Sequence, residues 1–461
     1  MAQKFICFTM ITCLLILSCS SYGEARPPHK ARPAHKGSMY YYTVPPQILL
    51  PKPTCSDSMD GLQIEKLQKP NANEAHLPLI RGNQPNGKQL FLRDIYRADL
   101  INGRGKKTRT INSIDGSQSA SRYSHGERNG NFHTTLAFGT PEQTQTLIID
   151  TGSDITWVQC QPCTSCYNQT EPRFDPSKSS TYSNTSCISG SGNTYDQHYE
   201  DNSYSSGVFG CDKLTLPPYD VVQNFQFGCG TDNSDDFGEN AGVLGLGRGQ
   251  LSLMSQAASQ FNQVFSYCLP KDCSVGYLLF GHQATKHPAS SSLKYTPLLQ
   301  PSGSTTYYYV ELVGISVAGK KLKISSSVLA SMQKHSIVDS GTVITRLPSS
   351  VYAALQSAFN SSMSIYPSAP NFEILDTCYN LKGHNMVSIP KVVLHFGGGT
   401  DVSLQPHGTV WAGKSLSRVC LAFAANHYED DHVIIGNTQQ QSMQVLYDLK
   451  EGRIGFGACK G

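Results

Sequence analysis

From about residue 129 onward, apolar residues fall in short runs rich in Val, Ile, Phe and Tyr, broken by Gly, Ser, Asn or Pro. Such runs predict strands, so the body is expected to be predominantly β. Strands are predicted at residues 132–138 and 146–149, flanking the turn Gly139-Thr-Pro141, at 155–159, and at 445–449 and 453–457 around Lys450-Glu-Gly452. One clear helix interrupts this pattern: Pro348-Ser-Ser350 starts it, and Val351, Leu355, Ala358 and Phe359 recur on one side. Ahead of residue 129, residues 5–17 are an apolar run. Residues 26–125 are rich in Pro, Lys, Arg and His, with prolines expected to interrupt regular structure. Only Leu92, Ile95, Tyr96 and Leu100 there suggest the face of a short helix.

Two stretches of the body resemble each other. Leu147-Ile-Ile-Asp-Thr-Gly-Ser-Asp154 ends an apolar strand on Asp150, and Ser336-Ile-Val-Asp-Ser-Gly-Thr342 does the same on Asp339, 189 residues later. A lone Asp-Thr-Gly usually makes only a turn. Here each copy is followed by a second landmark, Ala241-Gly-Val-Leu-Gly-Leu-Gly247 and His432-Val-Ile-Ile-Gly-Asn437. The repeat predicts two similar lobes, each supplying one Asp to a shared cleft. The string ending at Gly249 lacks both the G-x-G-x-x-G spacing and a β-α-β setting, which speaks against a nucleotide site.

The chain has 461 residues, 39% hydrophobic and 15% charged, enough for a large core and too apolar for disorder. The run 5–17 follows Lys4 and precedes the small residues Ser21, Gly23 and Ala25, predicting a signal peptide over residues 1–25. It is shorter than the roughly 20 residues a spanning helix needs. No later stretch reaches that length and no apolar tail ends the chain, so no membrane anchor is expected. Of 15 cysteines, 11 lie at or after Cys160, and an exported protein would pair most of them, leaving one free or unusually paired. Cys160, Cys163 and Cys166 have spacing that could also suit zinc; without a matching Cys/His cluster, disulfides and no metal are expected. Asn168, Asn184 and Asn360 open N-x-S/T acceptors.

Charge divides the chain. Before residue 126 there are 17 Lys and Arg against 8 Asp and Glu, and after it 20 against 26. A basic segment tethered to an acidic body is expected to lie in its cleft as an inhibitory plug, making residues 26–125 a prosegment, with Gly105-Lys-Lys-Thr-Arg109 exposed for cleavage. A linker is the alternative. Nucleic-acid binding is not expected, because no recognition module accompanies the basic residues. The polar stretch from Tyr199 to Gly207 between aromatic residues predicts a hairpin tip over the cleft.

Several dispersed motifs together resemble the pepsin-like aspartic proteases, especially the plant nepenthesin-like group, over residues 131–460. They are Phe138-Gly-Thr-Pro141, Ile149-Asp-Thr-Gly-Ser-Asp154, Cys160-Gln-Pro-Cys163, Phe227-Gly-Cys229, Phe265-Ser-Tyr-Cys268, Val338-Asp-Ser-Gly-Thr342 and Ile435-Gly-Asn-Thr-Gln-Gln-Gln441. The resemblance implies an all-β, bilobal pepsin-like fold, two β-barrel-like lobes with the active-site cleft between them. The lobes would span residues 126–300, with a Cys-rich insertion and flap, and 301–461. It implies Asp150 and Asp339 as the catalytic pair, with Thr151 and Ser340 bracing the two turns. Gly152 and Gly341 complete those turns, and Ser153 and Thr342 bind the outer carboxylate oxygens. By the same likeness Tyr199 is the flap tyrosine with Trp157 as partner, and Cys268 pairs with Cys459 and Cys378 with Cys420. Glu200 departs from the family, which has Gly there.

Paired carboxylates can deprotonate an attacking water and protonate the departing nitrogen, so no cofactor is needed. The expected protein is a monomeric endopeptidase made as a zymogen, active in acid on protein or peptide substrates, and secreted to the extracellular apoplast, with the vacuole or another secretory-route compartment as the alternative. A catalytically weak binding or inhibitor protein of the same fold is the competing reading; such homologues commonly lose an Asp, whereas both are present here. A serine hydrolase is disfavoured: there is no G-x-S-x-G elbow and none of the 14 His suggests a triad.

Overall fold

The computed structural model describes residues 39–50, 76–81, 87–103, 131–199, 203–217, 220–234, 237–271, 275–300, 306–413 and 415–459. The expected signal peptide over 1–25, Cys55, the basic stretch 105–109, Glu200 and Cys273 lie outside the described residues. Among those described, no helix is long and apolar enough to cross a membrane.

The molecule is mainly β and is built from two lobes that repeat one strand pattern. In the first, Phe132–Phe138 and Gln143–Asp150 form an antiparallel hairpin, and the second of these pairs in parallel with Gly242–Gly245, setting Asp150 beside Gly245. Trp157–Gln159, shorter than the predicted strand, then runs parallel to Gly228, Cys229 and Gly230 and crosses antiparallel to Val243 and Gly242. In the second lobe Ser336–Val338 lies parallel to Val433–Ile435, Thr345–Leu347 lies parallel to Phe423–Ala425, and Arg346 crosses Ile434 antiparallel. Both second landmarks are therefore the strands beside the Asp-bearing strands. That pairing explains their glycines: a Cβ on Gly242 would come within 2.0 Å of the Trp157 carbonyl oxygen, and one on Gly436 within 2.8 Å of that of Val343.

Val264–Cys268, Gly276–Phe280, Met443–Asp448, Arg453–Ala458 and Lys294–Leu299 form a further antiparallel array through successive pairings. The helix Ser349–Met363 is longer than predicted at both ends and buries Val351, Tyr352, Leu355, Phe359 and Met363 on the second lobe. Among the described residues ten cysteines are paired: Cys160–Cys229, Cys163–Cys166, Cys187–Cys211, Cys268–Cys459 and Cys378–Cys420. The Cys160 cluster is thus split between two disulfides rather than gathered as metal ligands.

The N-terminal segment does form regular structure despite its prolines. Tyr41–Val44 adds an edge strand to Val387–Pro390 and ends where Pro45 and Pro46 begin a short 3-10 turn. His76–Arg81 pairs on one side with residues 276–279 and on the other with Phe132 and His133. The helix Gly87–Ile101 is longer than the sequence suggests. Among its described side chains Leu90, Phe91, Asp94, Ala98 and Ile101 are buried, so the stripe meeting the body contains a carboxylate; of the predicted face, Ile95 is half-buried and the side chains of Leu92, Tyr96 and Leu100 lie outside those described.

Candidate active site

Each of the two similar turns folds around its own carboxylate. The Gly152 N–H donates to Asp150 Oδ1 at 2.9 Å and the Ser153 hydroxyl to Asp150 Oδ2 at 2.6 Å. The Gly341 N–H donates to Asp339 Oδ1 at 3.0 Å and the Thr342 hydroxyl to Asp339 Oδ2 at 2.5 Å. The turns are tied to each other by a reciprocal pair of bonds: Thr151 N–H to Ser340 Oγ at 3.1 Å, and Ser340 N–H to Thr151 Oγ1 at 2.9 Å. This brace needs a hydroxyl at both positions, which is why Thr and Ser rather than apolar residues separate each Asp from its Gly. The two carboxylates face across the joint. A Cβ on Gly152 would stand 2.7 Å from Asp339 Oδ1, and one on Gly341 2.5 Å from Asp150 Oδ1. Asp150 is 2% exposed and Asp339 not at all.

A cavity of about 610 Å³ opens beside the pair, lined among others by Ser153, Ile155, Tyr199, Leu251 and Tyr307. Gln197 and Tyr199 bring to its lining the end of the hairpin formed by Thr194–His198 and Tyr204–Leu216. The Trp157 indole N–H donates to the Tyr199 hydroxyl at 2.9 Å, and both rings meet Phe237 edge-on. Asp154 is structural: its carboxylate accepts from the Gly249 N–H and the Thr306 hydroxyl. Asn168 and Asn184 are exposed in loops, whereas Asn360 is exposed on the helix Ser349–Met363 and accepts from the Tyr379 hydroxyl.

The sequence did not single out the residue that fills the site. Arg97, on the N-terminal helix, lies between the two carboxylates. Its Nη2 donates to Asp150 Oδ1 at 2.5 Å and Asp339 Oδ1 at 2.8 Å, and its Nε donates to Asp339 Oδ2 at 2.7 Å and Thr342 Oγ1 at 3.1 Å. Burial alone would raise Asp339, but the attraction and hydrogen bonds of Arg97, with those of Thr342 and Gly341, hold it below the ordinary carboxylate range. One turn earlier, Asp94 accepts from the N–H groups of Val343 at 2.5 Å and Ile344 at 3.1 Å and from Arg346 at 3.3 Å. Burial is its largest influence and pushes its carboxyl up.

Another arrangement was not foreseen. Ser316 Oγ lies 2.6 Å from His395 Nε2, and His395 Nδ1 lies 2.6 Å from Asp401, the connectivity of a hydrolytic triad. The exposure is inverted, however: Ser316 is 8% exposed, while the Asp401 side chain is 58% exposed. A nucleophile must reach its substrate, so this cluster is a cross-strand contact, with His395 directly opposite Asp401 in the sheet.

Family profiles described as "Xylanase inhibitor N-terminal" and "Xylanase inhibitor C-terminal" match residues 132–282 and 307–458, one to each lobe. An aspartyl protease family protein of Arabidopsis thaliana is 44% identical, covering 71% of this chain and 72% of that one. The chain belongs to the plant pepsin-like aspartic proteases. Aspartic proteinase nepenthesin-1 of Nepenthes gracilis is 34% identical over 72% of this chain and 78% of its own length, and aspartyl protease AED1 of Arabidopsis thaliana is 42% identical over 71% of each.

Proposed function

We propose that this chain is an aspartic endopeptidase made as a zymogen, with Asp150 and Asp339 as its catalytic pair and residues 26–125 as an inhibitory prosegment. The observation that carries this reading is the pair itself: two buried carboxylates, each with its own N–H and hydroxyl donor, facing each other across a hydroxyl brace. Carboxylates held so close share one proton, as aspartic-protease dyads exemplify. The ionised member takes a proton from water as it attacks the peptide carbonyl. The protonated member donates to the carbonyl oxygen and, as the C–N bond breaks, a proton passes to the departing nitrogen. The titration belongs to the pair rather than to either residue.

Arg97 supports the zymogen reading, because a guanidinium bonded to both carboxylates fills the place of water and substrate. Secretion, an acid optimum, glycosylation at Asn168, Asn184 and Asn360, and a monomeric state go with this proposal. The Tyr199 hairpin would close over bound peptide.

The inhibitor reading also has an observation behind it, the description of the two matching family profiles. The test is to incubate acid-treated protein with a mixed peptide library, with and without pepstatin, alongside Asp150→Asn. Pepstatin-sensitive cleavage absent from the variant is expected. Intact peptides together with inhibition of a xylanase would overturn the proposal in favour of an inhibitor.

A further inference from the structure

The helix Gly87–Ile101 covers more than the two catalytic carboxylates, and what lies beneath Asp94 is a built recess. Val343 and Ile344 follow directly on Thr342, and their N–H groups point at the two Asp94 oxygens. Arg346, 4% exposed, donates from Nη2 to the same carboxylate. Its Nε is buried with no hydrogen-bond partner. Among the described residues, Asp94 and, more weakly, Asp99 offset the cost of burying Arg346, and both belong to this helix. A buried guanidinium left without an anion is costly, and breaking such a pair typically costs several kcal/mol. Once the helix departs, two backbone N–H groups and a guanidinium therefore lose the carboxylate that now binds them, next to the Thr342 that bonds Asp339.

A second recess adjoins the first. Phe91, fully buried, sits edge-on to Trp411 at 5.3 Å and to Phe372 at 5.8 Å, within a cluster that includes Val343 and Ile344. The segment's aromatic ring and its carboxylate thus both meet Val343 and Ile344, the two residues that follow the Thr342 whose hydroxyl bonds Asp339.

We propose that Arg346, with the N–H groups of Val343 and Ile344, forms a substrate subsite for an acidic side chain, so that the preferred substrates are peptides carrying Asp or Glu beside an aromatic or large apolar residue. This rests on the protease reading above and deepens it. Asp94 precedes Arg97 by three residues, about 4.5 Å of helix rise, which an extended peptide covers in one to two residues. The acidic residue should therefore stand within about three positions of the scissile bond.

The test uses the activated protein and a matched peptide series in which each position within three residues of the cut carries Asp, Glu, Asn, Gln or Lys. At pH 5, substrate carboxylates with ordinary values near 4 are ionised. At one position, Asp or Glu should exceed its amide roughly ten- to a hundredfold in kcat/KM, the range of hydrogen bonds to charged groups. Arg346→Gln should bring the ratio of acidic to amide turnover to about one, whatever the overall rate, and Arg346→Lys should keep part of the preference. Should Arg346→Gln fail to fold, the wild-type profile and the Lys variant decide the matter. Equal turnover of acidic and amide peptides at every position overturns the subsite and leaves the protease reading intact. If no peptide is cut, the protease reading falls; equal binding of acidic and amide peptides would then overturn the recess too, whereas tighter binding of acidic ones would support it.

Discussion

Replacing Arg97 with Met in the precursor keeps most of the side-chain length and removes every donor it offers to the dyad. The wild-type side chain is 16% exposed, and its contacts to the two carboxylates are charge-assisted and short. Removing one partner of a buried ion pair costs about 3–5 kcal/mol. The dyad recovers part of that by taking up a proton between its two carboxylates, so the lower end applies. About 3 kcal/mol corresponds to a factor of roughly a hundred in the docking equilibrium. Arg97→Met precursor should therefore turn over a fluorogenic peptide at neutral pH about a hundredfold faster than uncut wild type, before any processing visible by mass spectrometry. The pH dependence should change as well. Asp339 is depressed in the docked state, so its contribution is complete above the ordinary carboxylate value near 4 and is lost as pH falls through the depressed value. Asp94 is raised by burial, so its contribution runs the other way, docking gaining as pH falls through the raised value. In the proposed zymogen, acid release should therefore depend on the Arg97 contact, and Arg97→Met should abolish acid-triggered opening. A variant precursor as latent as wild type at neutral pH, with the same acid transition, would refute the assignment of Arg97 as the latch.

Asp150→Asn and Asp339→Asn should each lower kcat by at least about a thousandfold with unchanged circular dichroism, since each keeps the shape and removes half of an acid–base unit; near-normal turnover in either would exclude the pair. Gly341→Ala would drive a methyl to within 2.5 Å of both Asp150 Oδ1 and the Arg97 guanidinium carbon. It should cost about 1–3 kcal/mol in denaturant unfolding and sharply reduce activity, and a fully active, equally stable variant would contradict the facing geometry. Joint replacement of Cys268 and Cys459 by Ser opens a bridge closing a span of 191 residues and should lower stability by about 2–5 kcal/mol, measured by urea titration.

Much of the site could be read along the chain because its parts are local. Each Asp lies within three residues of the N–H and hydroxyl that bind it, so the Asp-Thr-Gly-Ser and Asp-Ser-Gly-Thr strings contain most of each turn's hydrogen bonding. The strand periodicity and the second landmarks were likewise visible, because a parallel neighbour buried on both faces needs a continuous apolar run. The cysteine insertion was less legible: bridges such as Cys160–Cys229 and Cys187–Cys211 join residues whose proximity depends on how the long hairpin folds back.

The N-terminal helix marks the boundary between the two kinds of knowledge. By itself the sequence determined that a basic segment precedes an acidic body, that the body carries a repeated carboxylate turn, and that a helix lies near residues 92–100. It could not assign the helix's buried face, because amphipathic patterning marks apolar residues, and here the side that meets the body carries Asp94 and Arg97 among Phe91, Ala98 and Ile101. Only the tertiary structure decided that Asp94 is buried and Arg97 largely so, since each is tolerated there because an opposite charge on the body meets it: Arg346 for Asp94, and Asp150 and Asp339 for Arg97.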